Sequence, residues 1–154
     1  MLRKNQEITE KSALESIIRA SLVCRLALSD KGQPYIVPMC FGYCDNTLYF
    51  HTGLKGRKLE ILKKNSKVCF EFETGVDLVK GETPCTWNMQ YQSIIGFGSA
   101  AIIEDMVEKR KASAIIVRQY SDKPVQLPDM NLRKIIVIKV SVDSMTGKHS
   151  SKGL

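Results

Sequence analysis

Across the 154 residues, chemically useful side chains concentrate at His51-Thr52, followed by Lys55-Gly56-Arg57-Lys58. Histidine changes charge near neutral pH, so His51 is a candidate proton donor. The basic run after it opens a short helix. The unpaired N–H groups and positive dipole end of a helix start favour an anion, and Gly56 lets backbone approach it closely. A phosphate fits such a place. The dipole contributes about 0.3–1 kcal/mol, whereas a charge-assisted hydrogen bond from Arg57 or Lys58 contributes about 1.5–3 kcal/mol. The cationic side chains therefore dominate. Charge alone leaves a second reading open, in which Lys55, Arg57 and Lys58 are the solvated face of a surface helix. Equally, His51 could simply pack and hydrogen-bond at a strand end.

Other chemistries fail on spacing. Gly96-Phe97-Gly98 lies within a strand-like stretch and lacks the later glycine and helix start of a dinucleotide-binding turn. Thr146-Gly147-Lys148 has Val142 where a phosphate loop needs its first glycine, and His149 where it needs a magnesium-binding hydroxyl. Cys40, Cys44 and His51 have no second ligand pair to close a tetrahedral zinc site, so no metal is expected. Only His51 and His149 are available to a serine hydrolase, and no Gly-x-Ser-x-Gly elbow occurs.

Composition sets the class. Hydrophobic residues at 44% and charged residues at 25% are ordinary for a globular chain, and the length suits one domain spanning residues 1–154. No apolar segment follows Arg3 and Lys4, so neither a leader nor a membrane span is expected. Five scattered cysteines without a Cys-x-x-Cys pair read as reduced thiols, which agrees with a cytoplasmic protein. A net charge of +7 favours an anionic partner. The basic residues are nevertheless spread along the chain, without the dense stripe and exposed aromatics of a nucleic-acid surface, so no nucleic-acid partner is expected.

The elements that must position these residues follow from periodicity. Leu14, Ile17 and Ile18 predict a helix over residues 10–20. Leu22, Cys24, Leu26 and Leu28 then alternate as a strand that turns at Asp30-Lys31-Gly32-Gln33. A return strand over residues 35–43 carries Pro38, which cannot donate to a ladder and so marks an edge, a bulge or an approaching ligand. Asp45-Asn46 turns into a strand at 47–52, and Leu59 and Leu62 give the basic helix, reaching about 64, its buried side. Val68, Phe70 and Phe72 alternate with Cys69, Glu71 and Glu73 as a strand with one wet face. A long strand over 87–103 is interrupted by Gly96 and Gly98, which mark a bulge or bend. A helix over 107–120 has Val107, Ala112, Ile115, Ile116 and Tyr120 inward, and a last strand over 134–142 precedes a tail at 143–154. Together these predict a mainly β (α+β) fold, an antiparallel six-stranded barrel with three capping helices.

Pro34-Tyr35-Ile36-Val37-Pro38-Met39-Cys40-Phe41 with Leu48-Tyr49-Phe50-His51-Thr52-Gly53-Leu54-Lys55-Gly56-Arg57-Lys58 resembles the flavin site of the pyridoxamine 5′-phosphate oxidase-related FMN-binding split barrels. Within that superfamily, Tyr91-Gln92-Ser93-Ile94-Ile95-Gly96-Phe97-Gly98-Ser99-Ala100 and Met145-Thr146-Gly147-Lys148 resemble the nitroimidazole-resistance (Nim-type) proteins. The resemblance implies that FMN, or FAD, lies along Pro38, Met39, Cys40 and Phe41. It implies His51 and Thr52 beside the ring, Lys55, Arg57 and Lys58 toward the phosphate, and Ser93 near the phosphate or ribityl chain; Ser93 could also be an ordinary strand serine. It further implies a homodimer with flavin between the subunits. The activity it implies is electron transfer from NAD(P)H to a small organic acceptor, nitroaromatic compounds among the candidates, with His51 as the catalytic group. A non-catalytic flavin- or haem-binding module is the alternative. The substrate motif of the true oxidases is absent from the C-terminal stretch.

Overall fold

The structure, a computed structural model, describes residues 6–125 and 127–150. Its elements in chain order are β1 (Glu7–Ile8), α1 (Lys11–Ala20), β2 (Cys24–Asp30), β3 (Gln33–Met39), β4 (Phe41–Cys44), β5 (Thr47–Thr52), α2 (Arg57–Lys64), β6 (Lys67–Val79), β7 (Asn88–Ile103), α3 (Met106–Tyr120), α4 (Asp129–Arg133) and β8 (Ile136–Ser150).

All eight strands form one antiparallel sheet in the order β3-β2-β6-β7-β8-β5-β4, with β1 added beside β8. Both ends of that path are consecutive in the chain. Met39 ends β3, Phe41 begins β4, and Cys40 alone carries the chain from one sheet edge to the other. The sheet therefore curls into a barrel that is split at Cys40. Its tight hairpins are encoded by residues that tolerate left-handed backbone. Lys31 and Gly32 have φ of 51° and 87°, and Asp45 and Asn46 have 48° and 56°, as two-residue turns between twisted strands require.

Inward-facing residues fill the barrel, among them the wholly buried Leu26, Phe41, Phe50, Phe70, Phe72 and Ile138. Phe41 meets Phe72 edge-on with ring centroids 4.7 Å apart. At Gly96 a β-carbon would come within 2.2 Å of the Phe70 ring, so glycine there makes room for the aromatic core. The expected irregularity lies between the two glycines that mark it, where the β7–β8 register shifts between Phe97 and Gly98. Leu14, Ile17 and Ile18 of α1 close one end of the core, and α3 lies across the outside of β4 and β5.

Several expectations are corrected. The sheet has eight strands rather than six, because β1 is too short for alternation to reveal and the strand around Pro38 divides in two at Cys40. A fourth α-helix, α4, follows the loop after α3. The supposed tail from 143 onward continues β8 to Ser150, with residues 151–154 lying outside those described; Gly147 is sandwiched between Ile8 of β1 and Ile94 of β7. Turn-forming residue types there yield to pairing on both sides. Leu22 and Val107 are exposed, Leu22 because it precedes β2 and Val107 because it lies on the solvent side of the first turn of α3. Tyr120 is likewise part-exposed, although its hydroxyl is engaged.

Candidate functional site

The split brings most of the sequence-marked residues to one place. β3 is a sheet edge, so alternate backbone groups of Val37, Pro38 and Met39 are claimed by no described strand. Pro38 thus sits where a missing N–H is tolerated. Of the four residues expected along a ring, Pro38 and Cys40 project outward, whereas Met39 and Phe41 turn their side chains into the core. Met39 and Phe41 can offer only main chain, and the Phe41 N–H is already taken. It donates to the Tyr120 hydroxyl over 2.9 Å, and that hydroxyl donates in turn to the Leu22 carbonyl over 3.0 Å. Tyr120 therefore pins α3 to the point where the barrel divides.

Removing that hydroxyl has a calculable consequence. Tyr120→Phe leaves the Phe41 N–H without its acceptor, and an unfolding titration in urea should show a loss of about 1–3 kcal/mol. Burial pushes the Tyr120 phenol up to about 12. Because the unfolded chain gives up this proton first, the Tyr120 share of stability is intact below about pH 10 and falls from there toward pH 12. Burial also raises Tyr43 and Tyr49, so the Tyr120→Phe variant should retain a shallower alkaline decline rather than none.

β4 and β5 pair with Phe41 opposite Phe50, which sets His51 beside the Cys40 crossing. His51 points outward and is exposed, while Thr52 faces the barrel and is buried. The chain then reaches Gly56 at φ 146°, a left-handed value that favours glycine. Among the described residues no side chain caps α2; the Leu59 and Glu60 N–H groups bond to the Gly56 carbonyl, and no described group caps the Arg57 and Lys58 amides. Arg57 lies over the Tyr35 ring of β3, its guanidinium carbon 5.0 Å from the centroid, which ties this helix start to the β3 edge. Among the described residues, no carboxylate pairs with Lys55, Arg57 or Lys58.

Ser93 does not join this group within one chain. It stands on β7 opposite Glu73 and Lys148, with β6 and β2 between it and β3. It shares the barrel's outer face with an apolar row that sequence reasoning missed. Ile36, Ala27, Cys69 and Phe97 lie opposite one another across β3, β2, β6 and β7, and Ile95 stands beside them. Ile36, Ile95 and Phe97 are each more than half exposed. The wet face expected from Cys69, Glu71 and Glu73 is thus only part of a mixed surface, in which Glu71 and Glu73 are held by Arg25 at 2.9 and 2.6 Å. The signal lay in cross-strand register, which one strand's alternation does not contain.

Behind His51, α3, α4 and Ile135 just before β8 line a half-open cleft of about 200 Å³. Its polar lining is His51, Ser113 and Asn131. No periodicity announces α4, whose five residues supply Asn131 and Leu132.

An antiparallel barrel split at a single crossing residue, with helices packed outside it, is the split-barrel architecture. Residues 10–149 match the family described as pyridoxamine 5′-phosphate oxidase, and the chain belongs to that family. The chain is similar to a Bacteroides thetaiotaomicron crystal structure provisionally described as a 5-nitroimidazole antibiotic resistance protein: 42% identical, TM-score 0.82, covering 92% of this chain and 85% of the other. Two more distant structures show the same fold. A FAD and haem binding protein from Mycobacterium smegmatis is 16% identical with a TM-score of 0.81, covering 95% of this chain and 74% of that one. A FAD-binding protein from Mesorhizobium loti is 19% identical with a TM-score of 0.70, covering 95% and 98%. No match is found among curated proteins. No described helix is long and apolar enough to cross a membrane.

Proposed function

We propose that the chain is a cytoplasmic flavoprotein oxidoreductase, a homodimer that holds FMN at the subunit interface and reduces a small organic acceptor, with nitroaromatic compounds as the class to try first. The observation that carries the reading is the uncompensated cationic start of α2, fixed by Arg57 on Tyr35 beside the open β3 edge. A phosphate there meets two free amides and three cations, and an extended planar ring can run from it along Val37 to Cys40. The names of the similar structures support this reading, in that two concern FAD binding and one nitroimidazole resistance.

Bound flavin would supply a two-electron carrier between a nicotinamide donor and the acceptor. The chain's own residues then have separate tasks. Lys55, Arg57 and Lys58 hold the phosphate, and the Pro38 segment presents main chain to the ring's polar edge. Exposed His51, next to Cys40, donates a proton or orients the acceptor. The apolar row of Ile36, Phe97 and Ile95 is the face that a second copy covers, since exposed apolar patches of this kind mark interfaces. Such a partner also accounts for Ser93, which would reach the other subunit's flavin.

The test begins with the absorption spectrum of freshly purified protein. A flavin spectrum with FMN released on denaturation is expected, on a particle sedimenting at twice the 17.3 kDa chain mass. Colourless protein that stays colourless with added FMN overturns the reading. A Soret band marks the haem-binding alternative. His51→Ala should retain flavin and lose at least about tenfold in NAD(P)H-dependent turnover of a nitroaromatic acceptor; unchanged turnover removes His51 from the chemistry.

A further inference from the structure

The outer face of β3, β2, β6 and β7 carries a palindrome that only the register makes visible. One row across these strands reads Ile36, Ala27, Cys69, Phe97: large then small, small then large. The next row reads Pro38, Arg25, Glu71, Ile95: apolar then cation, anion then apolar. Both rows mirror about the line between β2 and β6. A second copy turned over about that line lays Ile36 on the partner subunit's Phe97, Pro38 on the partner's Ile95 and Arg25 on the partner's Glu71, and the reciprocal contacts follow by symmetry. Shape agrees with this. The outer faces of two barrels are convex, so they touch at the middle, where Ala27 and Cys69 are small, and part at the flanks, where Ile36 and Phe97 are large and more than half exposed. Charge agrees as well, because Arg25, held by Glu71 and Glu73 of its own chain at 2.9 and 2.6 Å, faces a further carboxylate rather than another guanidinium.

β8 lies one strand further out than β7, and nothing balances it on the other side, because β3 ends the sheet. The same rotation therefore makes the partner's β8 overhang the open β3 edge by one strand spacing, about 4.8 Å. Thr146 stands opposite Ile95 and Lys148 opposite Ser93, so the overhang sets the partner's Thr146 level with Pro38 and the partner's Lys148 level with the Cys40 crossing. Within one chain the Lys148 ammonium lies 5.8 Å from the centre of the Tyr91 ring, and no described carboxylate pairs with it. Facing sheets stand about 10 Å apart, a gap that a lysine stem can enter. We propose that this face is a two-fold interface and that the partner subunit's Lys148 completes each site, placing a cation at the open edge beside Cys40 and His51. The group it meets is the carbonyl-bearing rim of a ring held on that edge, since the phosphate end lies toward α2, which Arg57 ties to Tyr35. That this ring is flavin rests on the function proposed above.

Ala27→Arg sets two guanidinium groups at the centre of the interface while leaving the core alone, because Ala27 is on the outer face. It should sediment at the 17.3 kDa chain mass with an unchanged circular dichroism spectrum. Phe97→Glu, on the flank, should do the same and decides if Ala27→Arg does not fold. A particle that stays paired in both overturns the interface. Lys148→Met should weaken FMN and riboflavin alike, by about tenfold, whereas a loss confined to FMN overturns its place at the ring. To show which chain supplies the lysine, a Lys148→Glu chain and a chain carrying Arg57→Ala with Lys58→Ala are co-expressed under different tags and purified through both. Action across the interface leaves one site of each mixed pair with all its cations, so one FMN should bind per pair with wild-type affinity. Action within a chain leaves both sites defective, and absence of that rescue overturns the assignment. Recovery of no doubly tagged particle overturns the pairing. Wild-type protein that binds no FMN is failure of the flavin reading instead, and the sedimentation of Ala27→Arg still decides the interface.

Discussion

Replacing Arg57 and Lys58 together with alanine should weaken FMN binding by about 10²- to 10⁴-fold while leaving riboflavin binding nearly unchanged. Each charge-assisted hydrogen bond to phosphate contributes about 1.5–3 kcal/mol, and every 1.4 kcal/mol is tenfold in affinity. Two such contacts set the range, and the uncapped amides at the α2 start set the residual binding. Riboflavin carries the same ring without the phosphate, so the ratio of the two affinities isolates the contribution of the cations. Arg57→Lys should fall between, because lysine keeps the charge but loses the planar fork and its seat over Tyr35. Raising salt should narrow the gap between FMN and riboflavin, since Lys55 and Arg57 are exposed and their fields are screened. Flavin fluorescence quenching reads both affinities. The urea midpoint should fall only slightly, since alanine suits a helix and the stability lost is the Arg57 contact over Tyr35, about 0.5–1 kcal/mol. Equal loss of FMN and riboflavin would mean that these cations do not meet the phosphate.

The proposed phosphate site can be read from the sequence because its ingredients are contiguous. Gly56, Arg57 and Lys58 follow His51 within one loop and one helix turn, so sequence order is nearly spatial order. The strands were legible for a similar reason: alternation at Leu26 and Leu28, or Phe70 and Phe72, reports a buried face directly. Features that depend on what lies opposite were not. Val137 looks like the outward side of β8, yet it is wholly buried because α3 covers that face through Ala112. Ile36 and Phe97 read as isolated strand residues until register aligns them through Ala27 and Cys69. Ser113 is one more serine in a helix until α4 closes over it. Residues 143–150 combine Asp, Ser and Gly in turn-like order, and only pairing with β1 and β7 makes them a strand.

Gly42 carries the second large effect, and it shows how α3 secures the site. A β-carbon at Gly42 would lie 2.6 Å from the Ile116 nitrogen and 2.7 Å from the Ile115 carbonyl carbon. Both are backbone atoms in the middle of a 15-residue helix, so no side-chain rotation relieves the contact. Gly42→Ala must push α3 outward from β4. The same helix end holds the Phe41 N–H through Tyr120 and the end of α1 through Gln119, whose amide donates to the carbonyls of Ile18, Arg19 and Ser21. The cost should be at least the roughly 1–3 kcal/mol typical of overpacking, seen as a fall in Tm of about 3–10 °C for a chain of this size. Gly53→Ala is the control. It has open space around it and no left-handed backbone, so it should be neutral or raise stability by up to about 1 kcal/mol. Because Gly42 and Tyr120 act on the same seat, Gly42→Ala combined with Tyr120→Phe should cost less than the two separate losses added together. A Gly42→Ala protein as stable as Gly53→Ala would show that α3 does not rest on β4. The cleft behind His51 would then lose the wall that defines it.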